Sequence, residues 1–178
     1  MTTSVPIDSQ RCRELMAGVC APVTIVTTAC DGAPYGATVS SFASLSLDPP
    51  LITVAFERTA SMLTRIQRSR RFGVNLLGHD QEDLAVLFAR RGADRFTGTA
   101  WRYEDGLPRL DRAAGWVVCD LYREVDGGDH LLLFGLVTAA GTSELPPLVY
   151  SRRTFGTHSR FSERPRLPIV DLISACSY

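Results

Sequence analysis

The sequence predicts a mainly β domain with accompanying helices, and three observations carry that expectation. Short runs rich in Val, Ile and Thr recur at residues 21–30, 51–56, 72–77, 116–122 and 130–140. Turn-forming groups punctuate them, at Asp31-Gly32, Asp48-Pro49-Pro50 and Asp126-Gly127-Gly128-Asp129. Helical periodicity is confined to short stretches near residues 9–18, 59–68 and 80–90.

Taken in order, residues 9–18 form a short helix with Ser9 as a possible cap and Leu15 and Val19 as its apolar positions. Residues 21–30, APVTIVTTAC, form a strand, and Asp31-Gly32 turns the chain so that residues 35–41 return antiparallel to it. The segment 36–50, GATVSSFASLSLDPP, is strand-like but carries hydroxyls where bulky groups are usual. Alternation places Ala43, Leu45 and Leu47 on one face and Thr38, Ser40, Ser44 and Ser46 largely on the other. The hydroxyl face suits a planar polar ligand, and it equally suits a solvent-facing strand of small residues.

After the strand at 51–56, the helix at 59–68 carries an apolar stripe of Met62, Leu63 and Ile66. Its start offers backbone amides and the hydroxyls of Thr59 and Ser61, which could converge on a phosphate or simply cap the helix. Residues 72–77 form a strand. Asp80 then caps a helix running to Arg90, with Leu84, Leu87 and Phe88 facing the core and Asp83 near its positive end. In the basic stretch 90–96, Arg91 or Arg95 could neutralise a phosphate while Phe96 anchors the loop; a solvated helix end is the alternative. Residues 101–112, with Gly106-Leu107-Pro108, read as an irregular excursion. The strands at 116–122 and 130–140 are joined by the glycine-rich turn that places Asp129 and His130 at a strand entrance. Beyond Gly141 come a turn-rich region, Leu148-Val149-Tyr150, the group Arg152–Gly156, a flexible connector at 159–166 and an apolar tail at 167–173.

At 178 residues the chain fits one domain spanning 1–178, and its formal charge of zero argues against broad nucleic-acid or membrane binding. No apolar secretion segment opens it and no run is long enough to span a bilayer, so a cytoplasmic location is expected. The cysteines at 12, 20, 30, 119 and 176 form neither a CxxC pair nor a zinc-like cluster; free thiols are expected, no metal site is expected, and Cys119 reads as a core residue. Neither a Walker phosphate loop nor a Rossmann fingerprint is present.

Taken together, these segments resemble the short-chain flavin reductase family, the reductase components of two-component flavin-dependent monooxygenases. The resemblance covers about residues 13–155, leaving 156–178 as a C-terminal extension. It rests on Ala21–Thr27, GATVSSFASLSLDPP, Arg58-Thr59-Ala60-Ser61, Phe88–Phe96, Gly128-Asp129-His130 and Pro147–Tyr150, in that order and spacing. It implies a split β-barrel of the FMN-binding type, assembled as a homodimer. Thr38, Val39, Ser40 and Ser41 would lie along the flavin ring, with Ser46 on the same wall. Arg58, Thr59 and Ser61 would help bind the ribityl phosphate, Arg91 would match the basic phosphate-contact position, and Arg95 would be a second binding candidate. His130 would position nicotinamide against the flavin, and Tyr150 and Arg153 would close over flavin or nucleotide. The implied activity is reduction of FAD or FMN, with NADH preferred and NADPH possible, and delivery of reduced flavin to a separate monooxygenase. A tightly bound flavoprotein oxidoreductase with its own organic substrate, or a non-catalytic flavin-binding partner, are the alternatives.

Overall fold

A computed structural model describes residues 6–92 and 94–157 of the chain. The expected connector and tail at 159–173, together with Cys176, lie outside the described residues. Helix α1 (Ser9–Ala17) opens the fold, and its cap is Asp8 rather than Ser9, the carboxylate accepting from the Arg11 N–H at 3.3 Å. Leu15 and Val19, expected to be its apolar anchors, stay exposed.

The expected strand at 21–30 divides into β1 (Ala21–Pro22) and β2 (Thr24–Cys30). At the break, the Val23 N–H donates to the Leu148 carbonyl at 3.1 Å and the Val23 carbonyl accepts from Leu77 at 3.0 Å. Two sheets thus share one stretch of chain. After β3 (Ala33–Val39), β4 (Ala43–Leu47) and β5 (Pro50–Glu57) come α2 (Ser61–Ser69), β6 (Arg71–Leu76) and α3 (Glu82–Ala89). The remainder is β7 (Trp101–Glu104), β8 (Leu107–Leu110), β9 (Gly115–Gly127), β10 (His130–Thr142), β11 (Leu148–Ser151) and β12 (Thr154–Thr157).

The main sheet has seven strands in the order β3-β2-β6-β9-β10-β5-β4, every neighbouring pair antiparallel. Its two edge strands, β3 and β4, are consecutive in the chain. Only residues 40–42 join them, a reach of at most about 14 Å, so the sheet must curl until its edges nearly meet. This is the split barrel, with the split between β3 and β5. Alternate residues of β2 enter different cores. Val26 joins Val54, Ile66, Phe72 and Leu133, beneath α2, while Ile25 joins Leu77, Phe88, Leu110 and Leu148, beneath α3. Because β2 is covered on both faces, its threonines are buried and must find acceptors. Thr24 donates to Val39, Thr27 to Pro108 and Thr28 to Arg71, at 2.7, 2.7 and 2.8 Å. Packing is close where β6 meets β9: a Cβ on Gly73 would come within 2.2 Å of the Trp116 ring.

The structure corrects several expectations. Segment 36–50 is not one strand: Phe42 turns into the main core, ending β3 at Val39 and restarting the chain as β4, where a bulge between Ser44 and Ser46 shifts the register. The apolar face expected for β4 meets solvent, with Leu47 89% exposed. Helix α2 starts at Ser61 with no side-chain cap, so neither Thr59 nor Ser61 caps it. Asp80 does not cap α3; it pairs with Arg112. Residues 101–112 are not irregular either. They form a regular hairpin of β7 and β8 around Asp105-Gly106, both left-handed, as a type I′ turn requires.

Candidate functional site

The split in the barrel is a cleft of about 790 Å³, within the range of small-molecule sites. One wall is the end of β3, contributing Ala37, Thr38 and Val39, followed by Ser40 and Ser41. Facing it are Ala55, Phe56 and Glu57 of β5 and the start of α2 with Thr59, Ser61 and Met62. The end of α3 and the loop after it add Arg91, Gly92 and Arg95, and His130 enters from the start of β10.

The wall hydroxyls are partly committed to the fold. Thr38 donates to the Ala85 carbonyl at 2.7 Å, tying β3 to α3. Ser41 donates to the Ala55 carbonyl at 3.1 Å and accepts from the Ala55 N–H at 2.8 Å, occupying the free backbone edge of β5. What the wall offers a ligand is therefore small side chains, main chain and the hydroxyl of Ser40.

The cationic end is different. Arg95 threads back under its own loop, donating to the Gly36 and Arg90 carbonyls, and Phe96 anchors that loop edge-on between Phe88 and Trp101, with ring centroids 5.2 and 5.1 Å away. The buried Nε of Arg95 has no partner among the described residues. Burial, and then the nearby Arg65 charge, hold the Arg95 guanidinium below its ordinary pKa. An anion here would relieve both penalties. Arg91 has no carboxylate partner among the described residues, and the first-turn N–H groups of α2 have no side-chain acceptor. This donor set fits a phosphate.

His130 is held by a two-residue turn. Gly127 and His130 are ladder partners, and Gly128 takes φ 73°, a conformation that favours glycine. Within the turn, His130 Nδ1 lies 2.8 Å from the Asp129 carboxylate, and the hydrogen bond and charge of His130 hold that carboxyl below the usual carboxylate range. An ionised Asp129 can accept only from Nδ1–H; in the neutral ring this leaves Nε2 as an acceptor, and in the charged ring Nε2 also donates. Across the ladder His130 faces Glu57, another residue of the cleft.

Of the site residues expected from sequence, Thr38, Val39, Ser40, Ser41, Thr59, Ser61, Arg91, Arg95 and His130 line this one cleft. Ser46 does not; it sits in β4, paired with Leu51 of β5. Arg58 points away from the phosphate end, donating from Nε to the Gly128 carbonyl at 2.9 Å and from Nη2 to Asp126 at 2.6 Å. Tyr150 packs on Phe155 in the second core, and Arg153 lies at the β11–β12 turn beside a separate cavity of about 470 Å³ shared with α1. Sequence reading missed Glu57 and Gly92. The ladder partner of His130 follows from setting the strands at 51–56 and 130–140 side by side, but only once their register is known.

A family model described as a flavin reductase like domain matches residues 16–159. The chain belongs to that family. Among curated relatives of this flavin reductase-like protein is the reductase component of 4-nitrophenol 4-monooxygenase/4-nitrocatechol 2-monooxygenase from Rhodococcus opacus, 36% identical over 151 residues, covering 85% of this chain and 82% of that one. Three other relatives are longer, and the chain spans 64%, 51% and 46% of their lengths. Nitrilotriacetate monooxygenase component B from Mycobacterium thermoresistibile superposes with a TM-score of 0.86 at 32% identity, covering 93% of this chain and 94% of that one. The NADH:FAD oxidoreductase SgcE6 of Streptomyces globisporus, in complex with NAD and FAD fragments, superposes at 0.80 with 27% identity, covering 93% of this chain and 98% of that one. The family fold and the split-barrel expectation agree. Among the described residues there is no metal-ligand cluster, and no helix is long and apolar enough to cross a membrane.

Proposed function

We propose that this protein is an NAD(P)H:flavin oxidoreductase, preferring NADH, that reduces FMN or FAD and supplies the reduced flavin to a separate monooxygenase. The observation that carries this reading is that one cleft combines a cationic end, at Arg91 and Arg95, that has no carboxylate partner among the described residues, with His130 and a wall of small residues and main chain. The reductase names of its relatives support the same reading, and the NADH:FAD oxidoreductase among its structural neighbours supports the choice of donor.

When bound, the flavin supplies the hydride-accepting N5 and the reduced nicotinamide supplies the hydride. The chain supplies geometry. Arg91, Arg95 and the α2 N-terminus would hold the phosphate, while Val39, Ser40 and the backbone beside them would lie along the ring. Small residues there would permit close approach. His130, oriented through Nδ1 by Asp129, would present Nε2 to the carboxamide N–H of the nicotinamide; its role would be to position, and it would move no proton. On the family pattern the active form is a cytoplasmic homodimer.

The test is anaerobic. Purified protein is mixed with FMN or FAD and with NADH or NADPH, and loss of the oxidised-flavin absorbance is followed. Rapid loss with NADH is expected. Absence of reduction in all four combinations would sink the reductase assignment, and redox change driven by an organic substrate on a retained flavin would favour a self-contained flavoprotein.

A further inference from the structure

The phosphate end of the cleft does not stop at Ser61. That residue also borders a second cavity of about 350 Å³, which runs between α2 and the β2–β3 hairpin and is lined by Tyr35, Thr64, Arg65 and Arg68. Ser61, Thr64, Arg65 and Arg68 share one helical face by their spacing. Along β3, Tyr35, Ala37 and Val39 share one face by alternation, so the floor runs from flavin-ring wall to second cavity over about 13 Å of strand.

Arg65 is fixed in this second cavity in a ligand-ready form. Its guanidinium carbon sits over the Tyr35 ring, 4.1 Å from the centroid, and Nη1 donates to the Ser61 carbonyl at 2.9 Å. Among the described residues, its remaining N–H donors have no partner and no carboxylate pairs with it. Asp31, the one acid lining this cavity among the described residues, is paired with Arg68 at 2.9 Å. A restrained guanidinium loses little entropy on binding phosphate, and its outer face can stack on a purine base. Arg65 lies one helical turn beyond Ser61, about 6 Å along the axis, and its side chain reaches back to the Ser61 carbonyl, which brings the guanidinium to the start of the helix, beside the place of the first phosphate.

We infer that this second cavity is the subsite for the adenosine-5′-phosphate half of FAD, with Arg65 binding the second phosphate and Tyr35 holding Arg65 in place. The inference rests on reading the main cleft as a flavin site. It makes FAD, rather than FMN, the flavin whose binding uses the whole groove. An adenosine phosphate could also come from the nicotinamide dinucleotide, so the test separates the two.

Flavin anisotropy titrations of wild type, Arg65→Ala, Arg65→Lys and Tyr35→Leu, without nicotinamide, would use FAD and FMN as paired probes. Arg65→Ala should weaken FAD about tenfold, the scale of one lost charge-assisted contact, and change FMN by less than about threefold. Tyr35→Leu should weaken FAD in the same direction, and Arg65→Lys should fall between wild type and alanine. Retained FMN binding certifies each fold. Parallel weakening of both flavins, or no change in either, would overturn the subsite. So would a raised KM for NADH with FAD binding unchanged, which would give the cavity to the nicotinamide dinucleotide. If the wild type binds neither flavin, it is the underlying flavin reading that fails.

Discussion

Replacing Arg58 with alanine removes two of the tethers that hold the turn carrying His130. The Arg58 fork spans that turn, with Nε on the Gly128 carbonyl and Nη2 on the Asp126 carboxylate. The ion pair is open to water, its side chains 47% and 82% exposed, so screening and side-chain entropy limit it to about 0.2–1 kcal/mol. The hydrogen bond to the carbonyl adds about 0.5–1.5 kcal/mol. Together they amount to roughly 1–2 kcal/mol, which sets a ceiling of about 5- to 30-fold on any effect transmitted to the ligand. Part of the turn survives the substitution, because the Arg58 N–H still donates to the Asp129 carbonyl at 3.1 Å and Gly127 stays paired with His130. The expected outcome is a rise in KM for NADH of about three- to tenfold, with flavin Kd changed less than twofold. Arg58→Lys should recover only part of the loss, since an ammonium cannot span both acceptors in the same geometry. The assay pairs steady-state NADH kinetics with direct flavin titration. A flavin Kd weakened tenfold beside an unchanged KM for NADH would refute the bracing role and return Arg58 to the phosphate.

Other outcomes follow from the same geometry. His130→Ala should impair nicotinamide use while leaving flavin binding nearly intact; identical NADH kinetics in both proteins would reject its positioning role. Gly73→Ala places a methyl 2.2 Å from Trp116 Cη2 and 3.0 Å from Thr27 Oγ1, so it should cost about 3 kcal/mol or more. Thermal melts should register a fall of roughly 6–12 °C, and an unchanged midpoint would mean that β6 and β9 separate more freely than their packing implies. Burial, and then the charge of Asp120, push the Cys119 thiol up to about 12, so it stays protonated across the working pH range. Thiol labelling at pH 8 mapped by peptide mass should modify the exposed Cys12 and Cys20 well before the buried Cys30 and Cys119; early labelling of Cys119 would contradict its burial.

Much of the fold was legible because its strands are marked by composition and its turns by residue type. Asp31-Gly32 specified the β2–β3 hairpin, and Met62, Leu63 and Ile66 specified the buried face of α2. The failures have physical causes. Asp105-Gly106 is the same hairpin signal as Asp31-Gly32, but Pro108 argued against a strand. It is tolerated because β7 and β8 form a separate two-stranded sheet, in which the Pro108 carbonyl is still used by Thr27. The break at residues 40–42 was invisible because hydroxyl residues continue across it, and only tertiary packing of Phe42 decides it. In the site, chemistry pointed to the basic loop and the His130 turn, and both reach the cleft. Ser46, Tyr150 and Arg153 came from the family resemblance, which matches positions along the chain and does not specify where a side chain points; none of the three lines the cleft. Arg58 sat in the right neighbourhood and faced the other way.

Ser41 has a consequence for redesign. Its hydroxyl gives Ala55 both the acceptor and the donor that a neighbouring strand's main chain would normally supply. A side chain thus impersonates a backbone, and the barrel can stay open without leaving β5 thirsty at the rim of its cleft. Anyone altering flavin preference by remodelling this wall is free to vary Ser40. Removing the hydroxyl of Ser41 would instead release a backbone N–H and carbonyl that recruit water into the space assigned to the flavin ring in the proposed function.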